Sequence, residues 1–110
     1  MGYIRHDAVI VTSGKSLTDC HEKAVEFCGD LVSEVIHSIN GQESFFIAPD
    51  GSKEGWFESD NAESNRQHFL RWLKENSGDE HSFWPDYLFL NFGGDGNEAV
   101  IVEDSLEATQ

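Results

Sequence analysis

The sequence has few basic residues, and this scarcity excludes several classes of function. Its 110 residues include 7 Lys and Arg against 21 Asp and Glu, which gives a formal net charge of −14 at pH 7. Nucleic acids and anionic membrane surfaces are bound by clusters of Lys and Arg. We therefore expect no direct contact with DNA, RNA or a membrane.

Long apolar runs are also missing. No segment approaches the roughly 18 consecutive apolar residues that a membrane-spanning helix requires, and Asp7 stands where the apolar run of a signal peptide would begin. The cysteines are Cys20 and Cys28, and on a helix they would lie about 12 Å apart, too far for a disulfide bond. These observations favour a reduced protein of the cytoplasm.

Aromatic residues are plentiful for so acidic a chain. The sequence contains 8 Phe and 3 Trp, and 38% of its residues are hydrophobic. Acidic disordered chains lack aromatic residues, so this composition indicates a folded protein. The length suits one domain, and we predict a single α+β domain over residues 1–103 and a frayed acidic tail over residues 104–110.

Two helices are predicted from the spacing of apolar residues. Over residues 17–39, apolar side chains recur at steps of three and four, which is the spacing of one helix face. Ser16 and Asp19 form a capping box at the start of this helix, and Asn40-Gly41 supplies a stop. A second helix is predicted over residues 60–75.

Strands complete the predicted order β-α-β-β-α-β-β. They cover residues 3–12, 44–48, 55–58, 87–92 and 99–102. We predict an antiparallel or mixed sheet with two helices on one face, and a ferredoxin-like split βαβ arrangement with an added edge strand fits this order. The predicted buried residues are Val9, Val11, Phe27, Leu31, Val35, Phe69, Leu73, Leu88, Leu90 and Ile101.

The acidic residues are the most informative feature of the sequence. On the first predicted helix they recur every four residues along one face, and no Lys or Arg follows Lys74. We predict that this acidic surface binds a basic protein, as an inhibitor or as a mimic of nucleic acid. A solvated face that only keeps the protein soluble explains the same pattern. The predicted partner-binding residues are Glu22, Glu26, Asp30, Glu34, Asp95, Glu98 and Glu103.

Motifs of catalysis, metal binding and cofactor binding are absent from the sequence. The glycine-rich residues 93–96 lead into a predicted strand and have no Lys nearby, so they indicate a turn rather than a phosphate loop. No Cys-x-x-Cys or His-Glu-x-x-His motif occurs. We predict no catalytic residue, metal or cofactor. The alternative is a small hydrolase or ligand-binding domain in which His6, Trp56 and Tyr87 converge on the open sheet face.

Aromatic pairs on the predicted strands suggest self-association. Neighbouring strand residues, such as Trp56 and Phe57, point to opposite faces, and two helices cover only one of those faces. Some rings, including Tyr87 and Phe89, are therefore left on the open face. We predict a homodimer through this face with Trp56 or Phe57 at its centre. The alternative is that loops or the segment Phe83-Trp84-Pro85 cover these rings within one chain.

Two segments, residues 6–13 and 46–56, resemble a family of small uncharacterised proteins encoded by bacterial viruses. The likeness continues through residues 69–73 and the final acidic hairpin. It implies an accessory protein that engages a host protein in the cytoplasm of a bacterial host. It implies no catalytic residue.

Overall fold

The computed structural model describes residues 6–50, 57–76, 85–93 and 99–104. Their elements are β1 (His6–Ser13), α1 (Thr18–Cys28), β2 (Ile36–His37), β3 (Glu43–Ile47), α2 (Phe57–Asn76), β4 (Asp86–Phe92) and β5 (Val100–Asp104). The predicted α+β class and the predicted order of strands and helices are confirmed. Asp104 belongs to β5, so the strand extends one residue into the predicted tail.

The five strands form one sheet in the order β2-β3-β1-β4-β5, and every neighbouring pair is antiparallel. Because β1 and β2 are both antiparallel to β3, they are parallel to each other with β3 between them. The strands β3 and β4 have the same relation to β1. These are two split βαβ units, as predicted, and β5 is the added edge strand.

Both helices pack on one face of the sheet, and the core lies between the two layers. Alternate residues of β1 point into it, where Val9 pairs with Ile47 and Phe89 while Val11 pairs with Phe45 and Tyr87. The helices contribute the buried side chains of Cys20, Ala24, Phe69, Leu70 and Leu73. The steps of three and four among these residues bring one face of each helix onto the sheet.

The first helix is much shorter than predicted. It ends at Cys28, where Gly29 adopts φ 58° and donates its N–H to the Val25 carbonyl. A 3₁₀ turn, Gly29–Leu31, follows, and the chain then runs extended into β2. The prediction of helix to residue 39 is wrong because residues 32–36 are rich in β-branched side chains and pair with β3 instead.

The predicted capping box of α1 is also wrong. No side chain caps α1 directly, and the Ser16 hydroxyl bonds to Thr18 instead. The Glu43 carboxylate, on β3, accepts the Leu17 N–H at 3.0 Å. A contact between residues distant in sequence therefore stabilises the start of this helix, and local sequence rules do not include such contacts.

The second helix begins earlier than predicted. Phe57 is its first residue, so the strand predicted over residues 55–58 is wrong in the part that the structure describes. Residues 55–56 lie outside the described residues. The strand that completes the order is β2, within the segment predicted to be helical.

The predicted buried residues fall into two groups, those in the core between the sheet and the helices and those on the other face of the sheet. Val9, Val11, Phe69 and Leu73 are buried as predicted, and Phe27, Leu31 and Val35 are partly buried against the core. Leu88, Leu90 and Ile101 do not belong to this core, and Ile101 is 61% exposed. Strand β4 instead directs Tyr87 and Phe89 toward the helices, so the predicted orientation of β4 is reversed.

Candidate functional site

The predicted acidic helix face does not exist as one stripe, because α1 ends before its second half. Glu22 and Glu26 lie on α1, Asp30 lies in the 3₁₀ turn, and Glu34 lies in the extended segment before β2. All four residues are exposed. They follow one another along the chain from α1 to the start of β2, and we call these four residues the acidic band. Asp95 and Glu98 lie outside the described residues.

Glu103 has a structural contact that the sequence did not indicate. Its Oε2 accepts the Tyr87 hydroxyl at 2.6 Å, and its Oε1 lies 3.2 Å from Lys74 Nζ. Burial, followed by the hydrogen bond to Glu103 and the charges of Glu103 and Asp104, raises the pKa of Tyr87. Glu103 therefore fastens β5 to β4 and α2, and it does not belong to the acidic band.

Arg66 is the most deeply buried charged residue described, with 1% of its surface exposed. Its Nη1 lies 2.9 Å from Asp50 Oδ2, and its Nη2 lies 3.6 Å from Asp7 Oδ2. Asn91 donates from Nδ2 to the other oxygen of Asp7. These four residues, which we call the Arg66 cluster, hold α2 against the ends of β1, β3 and β4.

The sequence analysis missed the Arg66 cluster, although one signal was present. Arg66 precedes Phe69 by three residues and Leu73 by seven, which places its side chain on the apolar face of α2. A basic residue at such a position is buried only with acidic partners. Those partners come from loops and strand ends far away in sequence, so they were not recognisable.

Folding also pairs two lysines with acids. Lys23 lies 3.4 Å from Glu26, and Lys74 bonds to Glu103. Within the described ranges, Glu22, Asp30 and Glu34 make no ion pair with a basic side chain. Within those ranges, these three acids therefore contribute negative charge that no ion pair offsets.

The sheet face turned away from the helices carries a contiguous apolar surface, which we call the open face. Strand pairing places Phe46 beside Ile10 and Ile10 beside Leu88, while Leu90 lies between Ala8 and Ile101. Ile10 is 43% exposed and Phe46 is 42% exposed. The open face consists of Ala8, Ile10, Ile36, Phe46, Leu88, Leu90 and Ile101.

Polar groups border the open face at its two ends. Asp86 pairs with Thr12 at one end, and Asp104 pairs with Leu88 nearby. At the other end His6 pairs with Phe92, and their ring centroids are 5.4 Å apart. The open face is thus acidic at one end and carries an imidazole at the other.

The predicted convergence of His6, Trp56 and Tyr87 does not occur for the two residues that the structure describes. Tyr87 faces the helices and bonds to Glu103, whereas His6 lies on the opposite side of the sheet. Trp56 lies outside the described residues. Phe57 opens α2, so it is not at the centre of the sheet face as the dimer prediction required.

Neither described cysteine has the character of a nucleophile. Burial raises the pKa of the Cys20 thiol to about 12, and burial, opposed by the charge of Arg66, raises that of Cys28 to about 11. Thiols with such values are protonated at neutral pH and react slowly. In the described part of the chain, no group of three His, Cys, Asp or Glu side chains is placed to hold a metal ion.

No described helix combines the length and apolar character needed to cross a membrane. Comparison with known proteins adds no assignment, since no protein-family model, curated protein or solved structure matches the chain.

Proposed function

We propose that the protein is a non-enzymatic interaction protein whose acidic exterior binds a basic protein. The observation that supports this proposal is that a basic side chain is buried while several acidic side chains are exposed. Arg66 is buried between two carboxylates, whereas Glu22, Asp30 and Glu34 remain exposed. The proposed partner is a host protein in the bacterial cytoplasm, in keeping with the resemblance noted above.

The physical basis is long-range attraction. A net charge of −14 on 110 residues creates a negative potential around the molecule, which attracts a basic partner and raises the rate of encounter. Salt screens such attraction between exposed charges, with a Debye length of about 8 Å at physiological ionic strength. Binding through the acidic band should therefore weaken as salt is added.

The spacing of the acids favours a basic protein surface over mimicry of duplex DNA. Glu22 and Glu26 are four residues apart on α1, which corresponds to about 6 Å along the helix. Duplex DNA carries one negative charge for every 1.7 Å or so of its axis. Because α1 ends at Cys28, the helix cannot extend this row, and α1 alone does not reproduce a phosphate array.

Charge reversal with a matched control tests the proposal. The double variant Glu22→Lys, Glu34→Lys changes two exposed acids of the acidic band. The control Glu63→Lys, Glu75→Lys makes the same change in net charge at exposed positions of α2. Immobilised protein of each kind is incubated with bacterial lysate at low and at high salt, and the retained proteins are identified and quantified.

We expect a basic protein that the wild type and the control retain at low salt. The double variant should retain at least tenfold less of it, and high salt should release it from all three. Equal loss in the control would show that only net charge matters. If the amount of retained protein changes neither with the substitutions nor with the salt concentration, the proposal is refuted.

A further inference from the structure

We propose that the open face binds a second copy of the same chain, so that the protein is a homodimer with its two sheets packed face to face. This inference is independent of the proposed function, which concerns the acidic band along α1 and the chain that follows it. The sequence predicted self-association through this face. The structure gives it a different centre, at Ile10 and Phe46, which are paired neighbours on β1 and β3.

The exposed apolar area is large enough to matter. Four side chains of the open face, those of Ile10, Ile36, Phe46 and Ile101, are between 42% and 61% exposed. With about 200 Å² for a fully accessible large side chain, they present roughly 400 Å² per copy. Two such faces, with partly exposed neighbours and a polar rim, approach the roughly 1,200 Å² of the smallest stable interfaces.

The apolar side chains of the open face are contiguous rather than scattered. Directly paired residues on neighbouring strands have Cβ atoms about 5 Å apart, so the row Phe46, Ile10, Leu88 crosses three strands without a gap. Ala8 is only 8% exposed although it lies on this face, because larger side chains surround it. Isolated apolar residues at a surface need no partner, whereas a continuous patch of a few hundred Å² is often a functional surface.

Charge at the two ends of the open face selects one orientation of the dimer. Asp86 lies at one end of β4, and His6 lies opposite the other end of the same strand. A two-fold axis in the plane of the sheets and perpendicular to the strands places the Asp86 end of one copy over the His6 end of the second copy. An axis parallel to the strands would instead bring the acidic ends of both copies to the same end of the dimer. The first orientation avoids the repulsion between like charges that the second creates.

The large net charge opposes association but does not prevent it. The acids on this side of the sheet, Asp86 and Asp104, lie at the border of the open face, and exposed charges more than about 8 Å apart are largely screened at physiological salt. The dimer should therefore strengthen as salt is added, because salt screens repulsion and favours apolar burial. This salt dependence is opposite to that expected for binding of a basic partner.

Sedimentation equilibrium of the full chain tests the proposal at about 0.15 M and about 0.5 M NaCl. The double variant Ile10→Thr, Phe46→Thr removes apolar surface and places β-branched Thr, which suits a strand, at both positions. The control Val25→Thr removes an apolar side chain of nearly equal exposure, 42%, from α1 on the other layer. Circular dichroism and urea unfolding confirm that each variant is folded.

We expect the wild type and Val25→Thr to dimerise at roughly 100 μM, and more strongly at high salt. The dissociation constant of the dimer should be at least tenfold higher for the double variant than for the wild type. A folded wild type that stays monomeric at that concentration in high salt would overturn the proposal. So would equal weakening by the control. Neither result would refute the binding of a basic partner, which uses the other layer of the molecule.

Cross-linking tests the orientation, with a short thiol-specific bifunctional reagent that spans the roughly 10 Å between packed sheets. Variants His6→Cys and Asp86→Cys are treated separately and as a mixture, while the native thiols stay protonated and slow to react because their pKa values are raised. The perpendicular axis predicts a cross-link between the two variants in the mixture and little in either alone. Cross-linking within the Asp86→Cys variant alone would refute this orientation.

Discussion

Replacement of Arg66 by Leu should destabilise the protein severely. Leu keeps the helix propensity and the apolar stem but removes the guanidinium that neutralises Asp7 and Asp50. These carboxylates are largely buried, with side-chain exposures of 19% and 9%. They would remain in the protein without their counter-charge. Removal of one partner from a buried ion pair typically costs about 3–5 kcal/mol.

Urea unfolding followed by circular dichroism measures this loss. For a domain of this size a slope of about 1.5 kcal/mol per M is typical, so the midpoint should fall by about 2–3 M. The control is Arg71→Leu, five residues further along α2, where the side chain is exposed. That variant should change the free energy of unfolding by no more than about 0.5 kcal/mol.

A compensating variant tests the cause of the loss. If loss of the Arg66 charge beside the two carboxylates is responsible, Asp7→Asn and Asp50→Asn in the Arg66→Leu background should restore part of the stability, although each alone destabilises the wild type. The coupling energy from these double-mutant cycles should exceed about 1 kcal/mol. A loss below about 1 kcal/mol for Arg66→Leu, or strict additivity, would refute the reasoning.

Further predictions concern a hydrogen bond, a turn and the two thiols. Tyr87→Phe should cost about 1–2 kcal/mol in urea unfolding, because it removes the hydrogen bond to Glu103. Because the folded-state pKa of Tyr87 is raised, stability should fall as the pH rises above about 10, and Tyr87→Phe should reduce this fall in unfolding measured against pH. Gly29→Ala should lower the melting temperature through a strain of about 1–3 kcal/mol at φ 58°. Cys20 and Cys28 should react slowly with a thiol reagent at pH 8 in the native protein and rapidly in urea.

The fold class and the order of helices and strands along the chain were predictable because they depend on patterns spread over many residues, whereas the order of the strands within the sheet was not. Alternating or continuous apolar runs separated by Gly, Asn and Asp gave four of the five strands, β1, β3, β4 and β5, and helical spacing gave residues 60–75 of α2. The split βαβ arrangement then follows from short connections and from helices that cover a single face. The strand wrongly predicted over residues 55–58 and the missed strand β2 offset each other, so the order of elements was unchanged.

The end of α1 was not predictable from apolar spacing alone. Leu31 and Val35 continue the helical steps of three and four and do contact the core, but they reach it from a 3₁₀ turn and an extended segment. Backbone bonds from Ser33 to Phe46 and from Ala48 to Leu31 fix that conformation. Such bonds to a neighbouring strand outweigh helix propensity, and the sequence does not reveal them.

The face to which each residue of β4 points was ambiguous for a related reason. Both alternate sets, Tyr87 with Phe89 and Leu88 with Leu90, are apolar, so alternation does not distinguish the core from the open face. Pairing with Val9 and Val11 of β1 decides the matter. A one-residue shift in register would exchange the two faces, which is why a long-range contact had to supply the answer.

The proposed dimer and the proposed binding of a basic protein are compatible because they use opposite layers of the molecule. The open face lies on the sheet side, whereas Glu22 and Glu26 lie on α1, which packs against the other side. Two sheets packed face to face would leave both α1 helices on the outside, so the dimer would present two acidic surfaces to a basic partner. A partner with two basic sites would then bind more tightly to the dimer than to the Ile10→Thr, Phe46→Thr variant, without any change in the acidic residues themselves. A captured partner whose retention falls in that variant at constant salt would therefore indicate bivalent binding, and equal retention would indicate that each copy binds alone.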